Sequence, residues 1–382
     1  MNFPEVSYLR WAKSHPPARI DLARSGAPSC PPAALHLTSR DLVVSLPVDD
    51  GYMPLREAIA RRYRVASERV FTVSGGTSFA NWFACAAVLN RSPRGAEVIV
   101  ERPTYEPLLQ IPEALGYRVR RLDRRFGEAY GIDLTRFADL VNPRTRLAVV
   151  SNLHNPSGVR IGVATLRRMA AMLARVGAFL VVDEVYLECL FGSRPESCVH
   201  AGPNVLVTNS LTKAYGLDGL RAGWVLGPGE MIRQAWSIQD LLANNGVAAG
   251  ERMTLAALRR LSGIRRRVHA ALDPNLERLR RFFARERRLE AVVPEGGNVV
   301  FPRLPRGVDS DALAALLLKR YSTLVVPGRF FESPRHVRLS WGCRPDLLEQ
   351  GFRNISRALD ELMDGPTAAR RPKPKPRPRR LV

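Results

Sequence analysis

A chain of 382 residues with 58 Lys and Arg against 36 Asp and Glu has a formal net charge of +22, and 46% of it is hydrophobic. That length predicts two domains, or one large domain with an elaboration. No apolar run reaches the roughly 18 residues that span a bilayer, the opening MNFPEVSYLRWAKSH has no apolar signal stretch, and five scattered cysteines without CxxC spacing exclude a disulfide framework or a zinc site, so a cytoplasmic protein without membrane or metal is expected.

From about residue 68 to 227, short apolar runs alternate with helical stretches. The runs are RVFTV, AEVIVE, RLAVVS, AFLVVDE, NVLVT and AGWVLG, with SFANWFACAAVL and ATLRRMAAMLARV between some of them. Continuous apolar strands alternating with helices predict a doubly wound α/β fold whose sheet is mostly parallel and buried on both faces. Ligands of such sheets bind at the C-terminal ends of the strands. After residue 250 an Arg-rich helical region leads to GGNVVFPRL, DSDALAALLLKRY, TLVVP and HVRLSWG, which reads as a smaller α+β domain. The expected layout is an arm with part of the small domain over 1–45, a large domain over 46–250, a small domain over 251–365, and a tail over 366–382. The tail, PTAARRPKPKPRPRRLV, holds seven basic residues and no acidic one; proline at that density predicts a disordered, polyproline-like segment. The rest of the positive excess reads as solvated helix faces, so nucleic acid is not an expected partner.

Lysine occurs only at 13, 213, 319, 373 and 375, and arginine stands almost everywhere else. Lys213 lies in SLTKAYGLDGLRAGW, directly after a predicted strand. The other strand-end loops also carry polar groups. SGGTS offers Gly75, Gly76 and Thr77 at a helix start, either as a phosphate cradle or as a plain turn with a threonine cap. RPTYEP carries Tyr105, either a ring plate or a half-buried loop aromatic. NLHNPSG carries Asn155, with a turn as the alternative reading. Asp183 and Tyr186 follow AFLVV, and a buried carboxylate needs a partner. Ser210 and Arg221 flank Lys213, and both suit a phosphate. Glu184, Asp218 and His154 read as structural.

Taken together, these loops supply a phosphate cradle, an aromatic face, a carboxylate, phenol and amide donors, and an amine. Pyridoxal 5′-phosphate asks for that set: an amine for its aldehyde, a carboxylate for its pyridinium nitrogen and donors for its phenolate oxygen. Arginine cannot replace the lysine, because a guanidinium stays protonated and delocalised.

The ordered motifs resemble the fold type I pyridoxal-phosphate enzymes, class I/II aminotransferases such as aspartate aminotransferase, over about residues 20 to 362. NPSG is similar to the family's Asn-Pro-x-Gly, and DEVY, 28 residues on from Asn155 to Asp183, to its Asp-x-x-Tyr. SLTK with Arg221 resembles the Ser-x-x-Lys…Arg segment, and SGGT the phosphate loop. HVRLSWG resembles the segment whose arginine, here Arg338, grips the substrate α-carboxylate, and RIDLARSGAPS the strand that would place Gly26 beside it. The resemblance implies an aminotransferase in which Lys213 holds the cofactor as a Schiff base and carries the Cα proton between an L-amino acid and a 2-oxo acid, in a homodimer. The same residues serve elimination at a carbon–sulfur bond or cyclisation of an amino acid, the alternative reading. One departure is Ser45, where the family has a tyrosine that reaches the neighbouring subunit's phosphate. Trp11, Tyr52 and Tyr105 are the expected lining of the substrate pocket.

Overall fold

The computed structural model describes residues 3–42, 49–90, 92–93, 95–190 and 195–364; Ser45 and the basic tail lie outside them. Its centre is a seven-stranded sheet. The strands are β1 (Val70–Ser74), β2 (Glu97–Arg102), β3 (Arg118–Asp123), β4 (Thr145–Ser151), β5 (Phe179–Asp183), β6 (Val205–Ser210) and β7 (Ala222–Leu226), in spatial order β1-β7-β6-β5-β4-β2-β3. The run from β3 to β6 is parallel. β7 is antiparallel to both neighbours, with Ser74 opposite Ala222 and Ser210 opposite Gly223. The sheet is therefore mostly, not wholly, parallel. The antiparallel strand brings its first residue, and Arg221 just before it, to the edge where β1, β4, β5 and β6 end.

Side chains alternate across the pleat, so each apolar strand feeds two cores. Val98, Val100, Leu147, Val149, Val181 and Leu206 pack under the helices Thr77–Leu89 and Gly229–Leu242. Ile99, Ala148, Val150, Leu180, Val182 and Val207 pack under Val163–Ala174 and Ala248–Arg259 on the opposite face. β3 has no counterpart among the runs singled out in the sequence. It is an edge strand, RVRRLD, in which only Leu122 is buried, and its arginines hide the apolar signal that marks the inner strands.

A further core lies beside these. Ile20, Leu22 and Ala27 from the N-terminal segment pack with the helices Leu261–Arg285 and Pro345–Met363 and with Val337 and Leu339. Ile20–Asp21 pairs in parallel with Thr323–Leu324. Val326–Pro327, Val337–Ser340 and Val299–Val300 form a small antiparallel sheet. This closure delivers Arg338 and the Ala23–Gly26 turn to the same sheet edge from sequence positions more than 300 residues apart. Among the described residues no helix is long and apolar enough to cross a membrane.

Gly223 is needed where β7 passes the loop before Thr77. A Cβ there would sit 2.6 Å from the Gly76 carbonyl carbon, and a well-packed backbone has no room to give. Gly223→Ala is expected to destabilise the fold by about 1–3 kcal/mol, read as a lower thermal midpoint; an unchanged melt would contradict this packing.

Candidate active site

The edge where the strands end encloses a cavity of about 280 Å³. Its wall includes Thr77, Ser78, Asn81, Tyr105, Asn155, Asp183, Tyr186, Lys213 and Arg221, with Tyr8 and Leu9 from the N-terminal helix Ser7–Ser14. Of the strand-end residues singled out in the sequence, Thr77, Tyr105, Asn155, Asp183, Tyr186, Lys213 and Arg221 line this space, and Gly75, Gly76 and Ser210 do not.

Asp183 ends the central strand β5 and is 5% exposed. Desolvation lifts its carboxyl to about 6, against the pull of two donors: Asn81 Nδ2 reaches Oδ2 at 2.8 Å and the Val185 amide reaches Oδ1 at 3.0 Å. Asn81 is held in turn by the Thr208 hydroxyl, which donates to its Oδ1. Lys213 stands in the short helix Thr212–Tyr215 after β6. Its Nζ donates to Ser25 Oγ at 3.3 Å, and the buried Tyr186 hydroxyl donates to the same oxygen at 2.8 Å. Desolvation first, and the nearby Arg338 guanidinium second, hold the amine at about 8, well below an ordinary lysine. Burial pushes the Tyr186 phenol up, so it remains a donor.

At one end Thr77 Oγ1 donates to Ser210 Oγ at 2.8 Å. Gly75 and Gly76 turn their amides onto the Arg221 carbonyl, and the Arg221 guanidinium returns a bond to the Gly75 carbonyl. The cradle is therefore made of the two hydroxyls, the guanidinium and the first amides of the helix Thr77–Leu89, which lack intrahelical partners. Gly76, at φ 74°, keeps this open: a Cβ there would meet the Arg221 guanidinium at 3.4 Å.

At the other end Arg338 is 1% exposed. Its Nη1 donates to Asn155 Oδ1 at 3.0 Å, and Nη2 donates to the Tyr8 hydroxyl at 2.8 Å and to the Ala23 carbonyl at 3.0 Å. Its Nε is buried without a hydrogen-bond partner among the described residues. A buried guanidinium held only by neutral oxygens is costly, which suits this end to an anionic group. Gly26 lies behind the lysine, 3.9 Å from Lys213 Cδ to a Cβ placed on it, and Ala27 donates its amide to the Lys213 carbonyl at 2.8 Å.

The pocket lining needs correction. Tyr105 is there, with its ring edge-on to Tyr8 at 5.8 Å. Trp11 is not: it stacks on Tyr8 and packs on Phe330, because the N-terminal helix turns Tyr8 to the cavity and keeps Trp11 behind it. Tyr52 sits at the start of the helix Met53–Tyr63, under the Arg252 guanidinium 4.6 Å from its ring and outside this cavity. The sequence reading missed Tyr8, Ser25 and Asn81. Only Asn81 had a signal: it follows Thr77 by four residues on one helix face. His154 spends its ring nitrogens on Ser157 Oγ and the Pro103 carbonyl, and Glu184 accepts the Cys198 amide.

The donor set fits pyridoxal 5′-phosphate: an anion cradle at Thr77, Ser210 and Arg221, a carboxylate below, an amine of lowered basicity between, and an unsatisfied guanidinium beyond. Comparison with known proteins agrees. Residues 33–355 match aminotransferase class I and II, so the chain belongs to that family and is a pyridoxal-phosphate enzyme of fold type I. It is 31% identical to capreomycidine synthase of Streptomyces vinaceus over 80% of this chain and 78% of that one. It is 29% identical to an arginine–pyruvate transaminase of Pseudomonas aeruginosa over 82% of each. A crystal structure of the PLP-dependent cyclase OrfR superposes with a TM-score of 0.84 at 28% identity, covering 94% of this chain and 98% of that one.

The lowered lysine has a pH signature. Attack of the Lys213 amine on an aldehyde requires its neutral form, so imine formation in the cofactor-free protein is expected to speed up through pH 8 and level off above it. Arg338→Gln removes the second cause of the lowering and is expected to move that midpoint upward. A rate independent of pH from 7 to 9 would contradict the assignment.

Proposed function

We propose that the protein moves an amino group between an L-amino acid and a 2-oxo acid, as a homodimer. The observation that carries this reading is the Arg338–Asn155 pair: a buried guanidinium whose Nε has no partner among the described residues, bonded to Asn155 of the cavity wall and close enough to Lys213 to lower its basicity. Arg338 is suited to take the substrate α-carboxylate through its planar fork. Tyr8 and the Ala23 carbonyl hold that fork in place before substrate arrives. Asn155 gives its Oδ1 to Arg338, which leaves Nδ2 to donate into the cavity.

When bound, pyridoxal phosphate supplies an aldehyde for the amine and a ring that withdraws electrons from the substrate's Cα. Asp183 provides the negative charge that favours a protonated ring nitrogen, and Tyr186 and Asn155 provide donors for the phenolate oxygen. Lys213 Nζ, whose basicity is lowered to about 8, would hold the cofactor's aldehyde and would serve as the base for the substrate's Cα proton. Ser25 gives this amine a resting partner between those tasks. Tyr8, Leu9 and Tyr105 add an aromatic and apolar wall to the cavity.

A second reading, cyclisation of an amino acid, is favoured by the 31% identity to capreomycidine synthase and the likeness to a solved cyclase. Removal of the Cα proton begins both reactions, and the same residues serve it. The arginine–pyruvate transaminase names a donor with a guanidinium side chain, which makes L-arginine the first donor to try. Incubation of the holoenzyme with L-amino acids and pyruvate is expected to yield the donor's 2-oxo acid and alanine in equal amounts. A cyclic product that keeps its amine, with no oxo acid, would contradict transamination and support the second reading.

A further inference from the structure

Two carboxylates reach the cavity wall, those of Asp183 and Asp218. Asp183 is committed at depth to Asn81 and the Val185 amide. Asp218 is not. It opens the single helical turn Asp218–Leu220 just after Lys213 and stands at the mouth, with its side chain 56% exposed. Its partner is Arg24, with Nη2 3.5 Å from Oδ2, and the Arg24 side chain is 55% exposed. An ion pair so wet and so long contributes little and is readily exchanged. Arg24 also donates to Ser29 Oγ at 3.2 Å, so it keeps a partner when Asp218 turns away. Arg24 itself does not line the cavity, whereas Asp218 does.

The charges around Asp218 sharpen the point. Lys213 lies close enough to feel its charge, Arg24 pairs with it and Arg221 Nη1 donates to its backbone carbonyl at 3.4 Å, yet each cation has a hydrogen-bond partner of its own in Ser25, Gly75 or Ser29. The buried end of the site, at Arg338, suits the carboxylate that every amino acid carries. Asp218, at the exposed rim of the same cavity, is open to the far end of a long side chain. A cation there gains a charge-assisted bond as the occupied cavity loses water.

We propose that Asp218 sets the substrate preference of the site: it receives the guanidinium or ammonium at the end of a long amino-acid side chain, in exchange for Arg24. The assignment rests on the reading of the cavity as a pyridoxal-phosphate site for amino acids. It revises the structural role that the sequence alone suggested for this residue.

The test uses the holoenzyme and three donors: L-arginine, L-citrulline, whose urea group has the shape of a guanidinium without its charge, and L-glutamate. The wild type is expected to prefer L-arginine to L-citrulline in kcat/KM by about tenfold or more, the size of one charged hydrogen bond. In Asp218→Asn that ratio should collapse toward one. In Arg24→Gln, which frees the carboxylate from its competitor, it should rise. The Arg24 variant also keeps the test decisive if Asp218→Asn does not fold. A wild type with no preference for L-arginine, or with a preference for L-glutamate, overturns the inference. So does an Asp218→Asn protein that loses L-arginine and L-citrulline equally, because that pattern belongs to an effect on Lys213 and not on the side chain. Protein that takes up pyridoxal phosphate but lacks the preference refutes this inference alone; protein that takes up none refutes the reading of the site, and this inference with it.

Discussion

A carboxylate at the end of a strand buried on both faces must keep its charge, and in this protein the hydrogen bond from Asn81 to Asp183 is a main support of that charge. Burial of an unpaired carboxylate costs several kcal/mol, and desolvation has already raised this one to about 6. The amide that steadies it projects from the helix Thr77–Leu89, one turn beyond Thr77. The same helix start, with Gly76 and Arg221, forms the anion cradle. One side-chain contact therefore fixes the distance between the floor of the site and its phosphate end. Gly223 adds to this by letting β7 run against the Gly76 backbone.

The other end of the site is assembled from distant parts of the chain. Arg338 comes from a short strand of the C-terminal core, Tyr8 and Ala23 from the N-terminal segment, and Asn155 from the loop after β4. Glu106 accepts the amides of Ser7 and Tyr8 at 3.0 and 2.6 Å. It thereby ties the N-terminal helix to the loop that carries Tyr105. Burial is the largest cause of the lowered basicity of Lys213, and long-range closure adds to it: two of the cations that lower it further, Arg338 and Arg24, come from remote segments, the C-terminal core and the N-terminal turn.

Much of this was legible in the sequence for a physical reason. In a doubly wound sheet, the loops that leave the strands gather at one edge, so local motifs at strand ends become a three-dimensional site without any long-range knowledge. Lys213, Asp183, Tyr186, Asn155, Ser210 and Arg221 were singled out that way, and all but Ser210 line the cavity. The N-terminal segment escaped this logic: Tyr8 and Ser25 reach the cavity through closure of the N-terminal segment onto the C-terminal core, and no periodicity marks them. Trp11 was misassigned for the same reason, since the eight-residue helix that carries it could have turned either aromatic inward. The edge strand β3 was missed because its solvent-facing arginines mask the alternation that marks a strand. Asp218 shows a further limit: a loop carboxylate is indistinguishable from a surface residue until the cavity beside it is visible.

Because lysine occurs at only five positions, the central claim, that Lys213 carries the cofactor, is open to a direct test. Holoenzyme reduced with borohydride and digested should yield the pyridoxyl mass on the peptide that contains Lys213, with Lys13, Lys319, Lys373 and Lys375 unmodified. Label on any of those four in place of Lys213, or no label in a protein that is folded and saturated with pyridoxal phosphate, would contradict the account.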